Sequence, residues 1–323
     1  KKARGSQLVA VMRRTGALAA DYAKRHGVPR WYDNAQALVN DPEVDAVYIA
    51  TPPGAHVEGA RLAAAAGKPA YVEKPMARHT PECDAIVAAL AQAKQKLFVA
   101  YYRRALPRFL KTKELLESRA LGQLTGVSYR AAMPTPANAD PAKGAWRVDA
   151  TNSGGGLLLD MGSHVLDMID FLCAPLPLEH IHGHAARLGA GGTVEDSVAI
   201  AFRTRDGVPG TGAWNFASHV REDTLEFTGT AGRISLSVFG NEPVRLETAR
   251  DVEHFDLPNP PHVAQPLIQT VVDDLLGLGT CASTGESARR TSVVMDHILN
   301  DFYQGRADAF WARPHTWKAG ASK

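Results

Sequence analysis

The sequence is poor in cysteine: Cys83, Cys173 and Cys281 lie far apart and form no C-x-x-C pair. An odd number at such spacing excludes a disulfide framework and fits free thiols in a reducing, cytoplasmic compartment. No apolar run approaches the roughly 20 residues that span a bilayer. The formal charge of +2 over 323 residues is too small and too dispersed for a nucleic-acid or anionic-membrane partner. The opening "KKARGSQLVAVM" has no apolar stretch ahead of a small-residue cleavage site, so no signal peptide is expected. The sequence also has no G-x-G-x-x-G, and only six residues precede its first strand-like run. With Lys instead of Met at position 1, the expectation is a chain that lacks the first strand and glycine-rich loop of a nucleotide-binding fold.

What is present reads as two domains. Hydrophobic residues at 45% and charged residues at 22% suit a soluble globular chain with sizeable cores. Through the first third, short apolar runs alternate with helical stretches: "QLVAVM" (7–12), a helix over 15–27 ended by Gly27, and a short helix over 33–40 capped by Asp33 or Asn34. "VDAVYIAT" (44–51), "PAYVEK" (69–74) and "LFVAYY" (97–102) follow as strands, with a helix to Gly67 and another over 80–95 between them. Strands that are apolar throughout and alternate with helices imply a parallel sheet covered on both faces. After about residue 105 the texture changes to successive strand-like runs between 179 and 248, then two helical segments over 262–278 and 284–304. The fold class expected is α/β: a Rossmann-type parallel-sheet domain over 1–105, then an α+β domain over 106–323 with a large, mostly antiparallel sheet.

Three groups of residues carry chemistry. Arg13 and Arg14 follow the first strand, where NAD-binding domains place an acidic residue and NADP-binding ones an arginine. They are either solvated loop residues or contacts for a 2′-phosphate. Glu73 and Lys74 end a strand in "YVEKPM", where α/β sheets place their ligands. There Lys74 either pairs with Glu73 or serves a substrate. In "GGGLLLDMGSHVLDMIDFL", read as one helix, Asp160, His164 and Asp167 recur at i, i+4 and i+7 on one stripe. A solvated surface pair and a carboxylate-oriented acid–base histidine both fit that stripe. The glycines 154–156 ahead of it allow another backbone or a flat ring to approach closely. No metal is expected: the stripe has no third ligand at a usual spacing, and His180, His182 and His184 read as a sheet face or subunit contact.

The segments "AVYIATPPGAHVEGARLAAAAGKPAYVEKPMA" and "GGGLLLDMGSHVLDMIDFL" resemble the Gfo/Idh/MocA oxidoreductases, with similarity running from about residue 7 to the C-terminal helices. The resemblance implies hydride transfer between a nicotinamide cofactor, NADP or NAD, and a hydroxyl or carbonyl carbon of a sugar, cyclitol or related polyol. It implies Lys74, Asp160 and His164 as catalytic residues, with His164 the general acid/base and Asp167 a supporting or substrate-binding one. Thr51, Pro52, His56, Glu73, Arg103, Trp146 and Arg147 are implied at the cofactor, and Tyr102 at the substrate. The pocket would be built from the 134–150 loop and the second domain's sheet. Subunits would associate as dimers or tetramers through that sheet. The same scaffold also carries NAD-dependent glycoside hydrolases and non-catalytic ligand sensors. Sensors commonly lose the lysine or histidine, and this chain has both.

Overall fold

The computed structural model describes residues 3–136, 139–140, 145–173, 180–189 and 192–318. The N-terminal half runs β1 (Ala10–Met12), α1 (Gly16–His26), β2 (Arg30–Tyr32), α2 (Ala35–Val39), β3 (Val47–Ile49), α3 (His56–Ala65), β4 (Ala70–Val72), α4 (Thr80–Gln92) and β5 (Leu97–Val99). Local chemistry explains the boundaries. Gly27 ends α1 in the left-handed region at φ 58°, after a last turn of Lys24, Arg25 and His26 that suits the negative end of the helix. Of the two residues expected to cap α2, Asn34 does so, accepting from the Ala37 N–H.

The parallel strands form two ladders. β1 pairs with β2, and β3, β4 and β5 pair in that order; no described strand joins β1 to β3. Both ladders share one core, in which Ala10 and Val39 are buried with Val47, Ile49, Val72 and Val99. Strand β2 was not expected, because Arg30–Tyr32 is half-exposed and too short to show a period.

The second half comprises α5 (Pro107–Glu117), β6 (Leu124–Ala132), α6 (Ala150–Ser153), α7 (Ser163–Cys173), β7 (Ile181–Ala186), β8 (Ser197–Arg203), β9 (Pro209–Asn215), β10 (Glu222–Gly229), β11 (Gly232–Leu236), β12 (Val244–Thr248) and β13 (Val252–Phe255). These eight strands form one sheet in the order β13-β12-β11-β10-β6-β9-β8-β7, antiparallel except for the β6–β9 pair. One sheet face is buried under α7 and its neighbours, as the alternation of Val198, Ile200 and Phe202 with exposed residues in β8 records. Trp214 lies in that core, 2% exposed and tilted against Tyr129, so it is a packing anchor.

Two closing helices, α8 (Gln265–Leu275) and α9 (Gly285–Leu299), turn back onto the first half. Leu267 and Val271 of α8 pack on Tyr71, Phe98 and Ala100, and Ala288 of α9 lies in the first core. Residues 281–284 run along β5, where Ser283 Oγ donates to the Val99 carbonyl at 2.6 Å and Phe98 bridges to Thr284. A division at residue 105 therefore separates in sequence what packs together in space. No helix among the described residues is long and apolar enough to cross a membrane.

Candidate active site

Lys74 follows β4, at the carboxyl end of the β3–β4–β5 ladder, and its ammonium turns toward the segment ahead of α7. Nζ donates to the Asp160 carbonyl oxygen at 2.9 Å and to Asp160 Oδ1 at 2.5 Å. Asp160 Oδ2 takes Arg147 Nε at 3.2 Å, so the carboxylate lies between two cations. An ammonium has three N–H groups, and Lys74 gives two of them to Asp160. The third is available to a substrate oxygen, and the side chain is 15% exposed.

Lys74 does not use Glu73 as its partner. Glu73 instead accepts the Lys74 backbone N–H and the hydroxyl of Tyr48, whose ring stacks on Tyr71 at 5.0 Å.

The stretch expected as one helix is helical without a break over residues 157–173, with a wide π turn at Leu158–Gly162 running directly into α7 at Ser163. A π turn inserts an extra residue into the helical register, so Asp160 within it is offset from the i, i+4, i+7 stripe. Asp160 is partly exposed, whereas His164 is 4% exposed and Asp167, one turn further along α7, is buried completely.

Asp167 is thus corrected from a substrate-binding residue to an interior ion-pair partner. Arg104 binds both its oxygens at 2.8 and 2.9 Å and bridges to Asp170, which Arg290 grips bidentately. A buried carboxylate with both oxygens on one guanidinium has nothing left to offer a ligand.

His164 sits in an aromatic cage. The rings of Tyr102, Tyr101 and Phe239 lie at 5.4, 6.0 and 6.0 Å from its own, all edge-on. Its Nδ1 is buried without a partner among the described residues. Burial first, then the positive charges of Arg103 and Lys74, holds the imidazole well below its ordinary titration range. It is a neutral base at neutral pH, and an unpaired buried ring nitrogen calls for a group to complete it.

One residue expected at the cofactor is placed elsewhere. His56 has no exposed surface: Nδ1 lies 3.0 Å from the Met76 carbonyl and Nε2 2.8 Å from that of Thr51. It ties the turn after β3 to the backbone just past Lys74 and presents nothing to a dinucleotide. Arg103 is buried between the rings of Tyr102 and Phe239, and its Nε donates to the Val238 carbonyl at 3.0 Å. It lies beside His164 on the side of the second domain's sheet, because Nε is anchored there.

Thr51, Pro52 and Glu73 remain accessible at the strand ends, and Trp146 is exposed beside Arg147, whose guanidinium covers its ring at 4.5 Å. Arg13 and Arg14 are exposed between β1 and α1 and have no carboxylate partner among the described residues. Residues 137–138 and 141–144 of the loop expected to wall the pocket lie outside the described residues.

Tyr101 and Phe239 are site neighbours that sequence reading missed, and the buried carboxylate Glu195, which holds Gly156, was missed as well. The doublet "YY" was the one signal for Tyr101; the other two lie far along the chain. The thiols play no part: burial pushes Cys83 and Cys173 up to about 12. Among the described residues, no three His, Cys, Asp or Glu side chains could hold a metal.

Set on the carboxyl ends of parallel strands, with a lysine and a buried, unprotonated histidine converging on it, this site is that of a nicotinamide-dependent oxidoreductase. The chain matches two family models: residues 1–101 that of the oxidoreductase family with an NAD-binding Rossmann fold, and residues 109–235 that of the GFO/IDH/MocA C-terminal domain. It is 34% identical over 303 residues to an oxidoreductase of Formosa agariphila, covering 91% of each chain. It is also 28% identical over 289 residues to the 1,5-anhydro-D-fructose reductase of Ensifer adhaerens, covering 88% of this chain and 85% of that one. A solved levoglucosan dehydrogenase, in complex with NADH and levoglucosan, superposes with a TM-score of 0.81 at 22% identity, over 91% of this chain and 87% of that one. The chain belongs to the GFO/IDH/MocA family of oxidoreductases.

Proposed function

We propose that the protein is an NADP-dependent dehydrogenase or reductase of an uncharged, ring-shaped polyol or its ketone, with Lys74, Asp160 and His164 as its catalytic residues. The observation that carries the reading is the Lys74–Asp160 pair, which leaves one ammonium donor beside an unprotonated, cage-held His164. The names of the relatives support a sugar-like substrate: a levoglucosan dehydrogenase and an anhydrofructose reductase both act on neutral rings.

The residues present fit a dinucleotide at both ends. Thr51, Pro52, Glu73, Trp146 and Arg147 would hold the nicotinamide half, and Arg13 and Arg14 a 2′-phosphate on the adenosine half. A bound nicotinamide supplies the hydride acceptor or donor. On the protein side, the third N–H of Lys74 binds the reacting oxygen and stabilises the negative charge that develops there. His164 takes the hydroxyl proton, and returns it in the reductive direction. Asp160 keeps Lys74 aimed, and the aromatic cage excludes water from the imidazole. Pairing of subunits through the outer sheet face, where Ala199, Ala201, Thr211 and Ala213 lie exposed and small, completes the reading, as does residence in the cytoplasm. Sedimentation velocity would measure the association.

The test is a fluorescence titration with NADPH and NADH, followed by a panel of levoglucosan, 1,5-anhydro-D-fructose and inositols. Tighter binding of NADPH, lost by roughly ten- to a hundredfold in R13A/R14A with NADH unaffected, is the expected result. Equal affinity for both cofactors would overturn the NADP preference. Cofactor binding with no turnover of any polyol would favour a ligand sensor.

A further inference from the structure

Among the buried charged residues that have no part in that mechanism are Glu195 and Arg306, 1% and 2% exposed. Arg306 lies beyond α9 and spends its guanidinium on three elements. Nε donates to Asp296 Oδ1 at 2.6 Å, Nη1 to the Gly154 carbonyl at 2.9 Å and Nη2 to the Arg78 carbonyl at 2.8 Å. The rings of Phe310 and Tyr303 lie against the same guanidinium, 4.2 and 4.8 Å away. Glu195 takes the neighbouring Gly156 N–H at 3.0 Å on each of its oxygens, and also accepts the Tyr303 hydroxyl.

The two carbonyls that Arg306 joins lead directly to the site. Arg78 follows Lys74 by four residues, and Gly154 precedes Asp160 by six. Between them the backbones touch: a Cβ on Gly154, at φ +83°, would fall 2.5 Å from the Arg78 carbonyl oxygen. One on Gly156 would fall 2.2 Å from the Glu195 carbonyl oxygen. Arginine presents its donors in a rigid planar fork, so two carbonyls bound by one guanidinium are held at a fixed separation. A lysine in its place is a point charge on a flexible stem and sets no such distance.

We propose that Arg306 is a positioning residue for catalysis. From the C-terminal segment it fixes the spacing between the strand-end loop of Lys74 and the turn that launches Asp160 and His164. Glu195 anchors the far side of that turn. The proposal rests on the Lys74–Asp160–His164 reading of the site, so its test includes a measurement that needs no substrate.

The full chain is produced with ¹³C-labelled lysine, and the Lys74 ε-carbon resonance is assigned by its loss in K74R. The D160N variant gives the position of that resonance when the pair is broken. In R306M the Lys74 signal is expected to move toward the D160N position, and in R306K to move less. With a turned-over polyol, kcat should fall roughly 10- to 100-fold in R306M with KM little changed, and R306K should recover part of the loss. A folded R306M with the wild-type Lys74 signal overturns the proposal. Should R306M not fold, R306K decides alone, and an unchanged signal there overturns it equally. If the signal moves as expected while no polyol is turned over by the wild type, the dehydrogenase reading fails and the positioning role stands.

Discussion

Lys74 and Asp160 lie 86 residues apart in the chain, yet the ammonium of one holds both the backbone oxygen and the carboxylate of the other. The strand end and the π turn are thereby closed into one unit. Replacing Lys74 by Met should lower kcat/KM by roughly 10²–10³-fold, the scale for removing one donor to a developing oxyanion. Cofactor affinity should stay within an order of magnitude, as measured by the same fluorescence titration. Turnover that survives K74M would refute the assigned mechanism.

The caged imidazole sets the pH dependence of oxidation. His164 must be neutral to take a proton, and burial with the Arg103 and Lys74 charges keeps it neutral below the usual imidazole value of about 6.5. The acid limb of kcat/KM for polyol oxidation should therefore fall on the acid side of about 6.5. H164N should remove most of the activity and that limb with it. A limb at or above the ordinary value would show that the cage opens in the free enzyme.

Acid stability should carry the mark of Glu82. Burial opposes its ionisation, but the hydrogen bonds and charge of Arg78, with His79 Nδ1 near at 3.7 Å, prevail and pull it down to about 2 from 4.5. A carboxylate depressed in the folded state binds protons more readily when unfolded, so its stabilisation is complete above about 4.5 and is lost as pH falls toward about 2. The stability difference between wild type and E82Q should be flat above that window and shrink through it, as read from urea midpoints. A difference that stays constant down to pH 2 would exclude the assignment.

His56 provides a structural test. Phe in its place fills the space and leaves the Thr51 carbonyl and the buried Met76 carbonyl without the ring that lies between them. H56F should cost about 1–3 kcal/mol of unfolding free energy for those unsatisfied groups. Denaturant unfolding measures it. A loss in NADPH affinity without any loss in stability would return His56 to the cofactor.

How far the molecule could be read from its residues depended on the distance between a signal and its partner. The parallel strands were legible as short apolar runs, and Gly27 and Pro81 marked helix ends by their own backbone preferences. Strands β2 and β13 went unread because Arg30–Tyr32 and Val252–Phe255 are largely exposed and form no apolar run. Lys74, Asp160 and His164 stood out because an unpaired charge at a strand end and a helical Asp-His spacing are local patterns. Asp167 was misread because its partner Arg104 lies 63 residues away in the chain, and only folding brings that guanidinium to it. His56 was misread because a side chain's type does not disclose which backbone carbonyl it will find. Glu195 and Arg306 were not singled out at all, since only folding brings them to Gly156 and Gly154.

The return of α8 and α9 onto the first half bears on how such an enzyme could be recombined. Leu267, Val271 and Ala288 are core residues of the nucleotide-binding half, although they arrive after the whole of the large sheet. An exchange of cofactor halves between relatives at residue 105 would strand these apolar faces against a foreign surface. A graft that keeps its cofactor-binding half intact has to cross over twice, carrying residues 265–299 along with the first hundred.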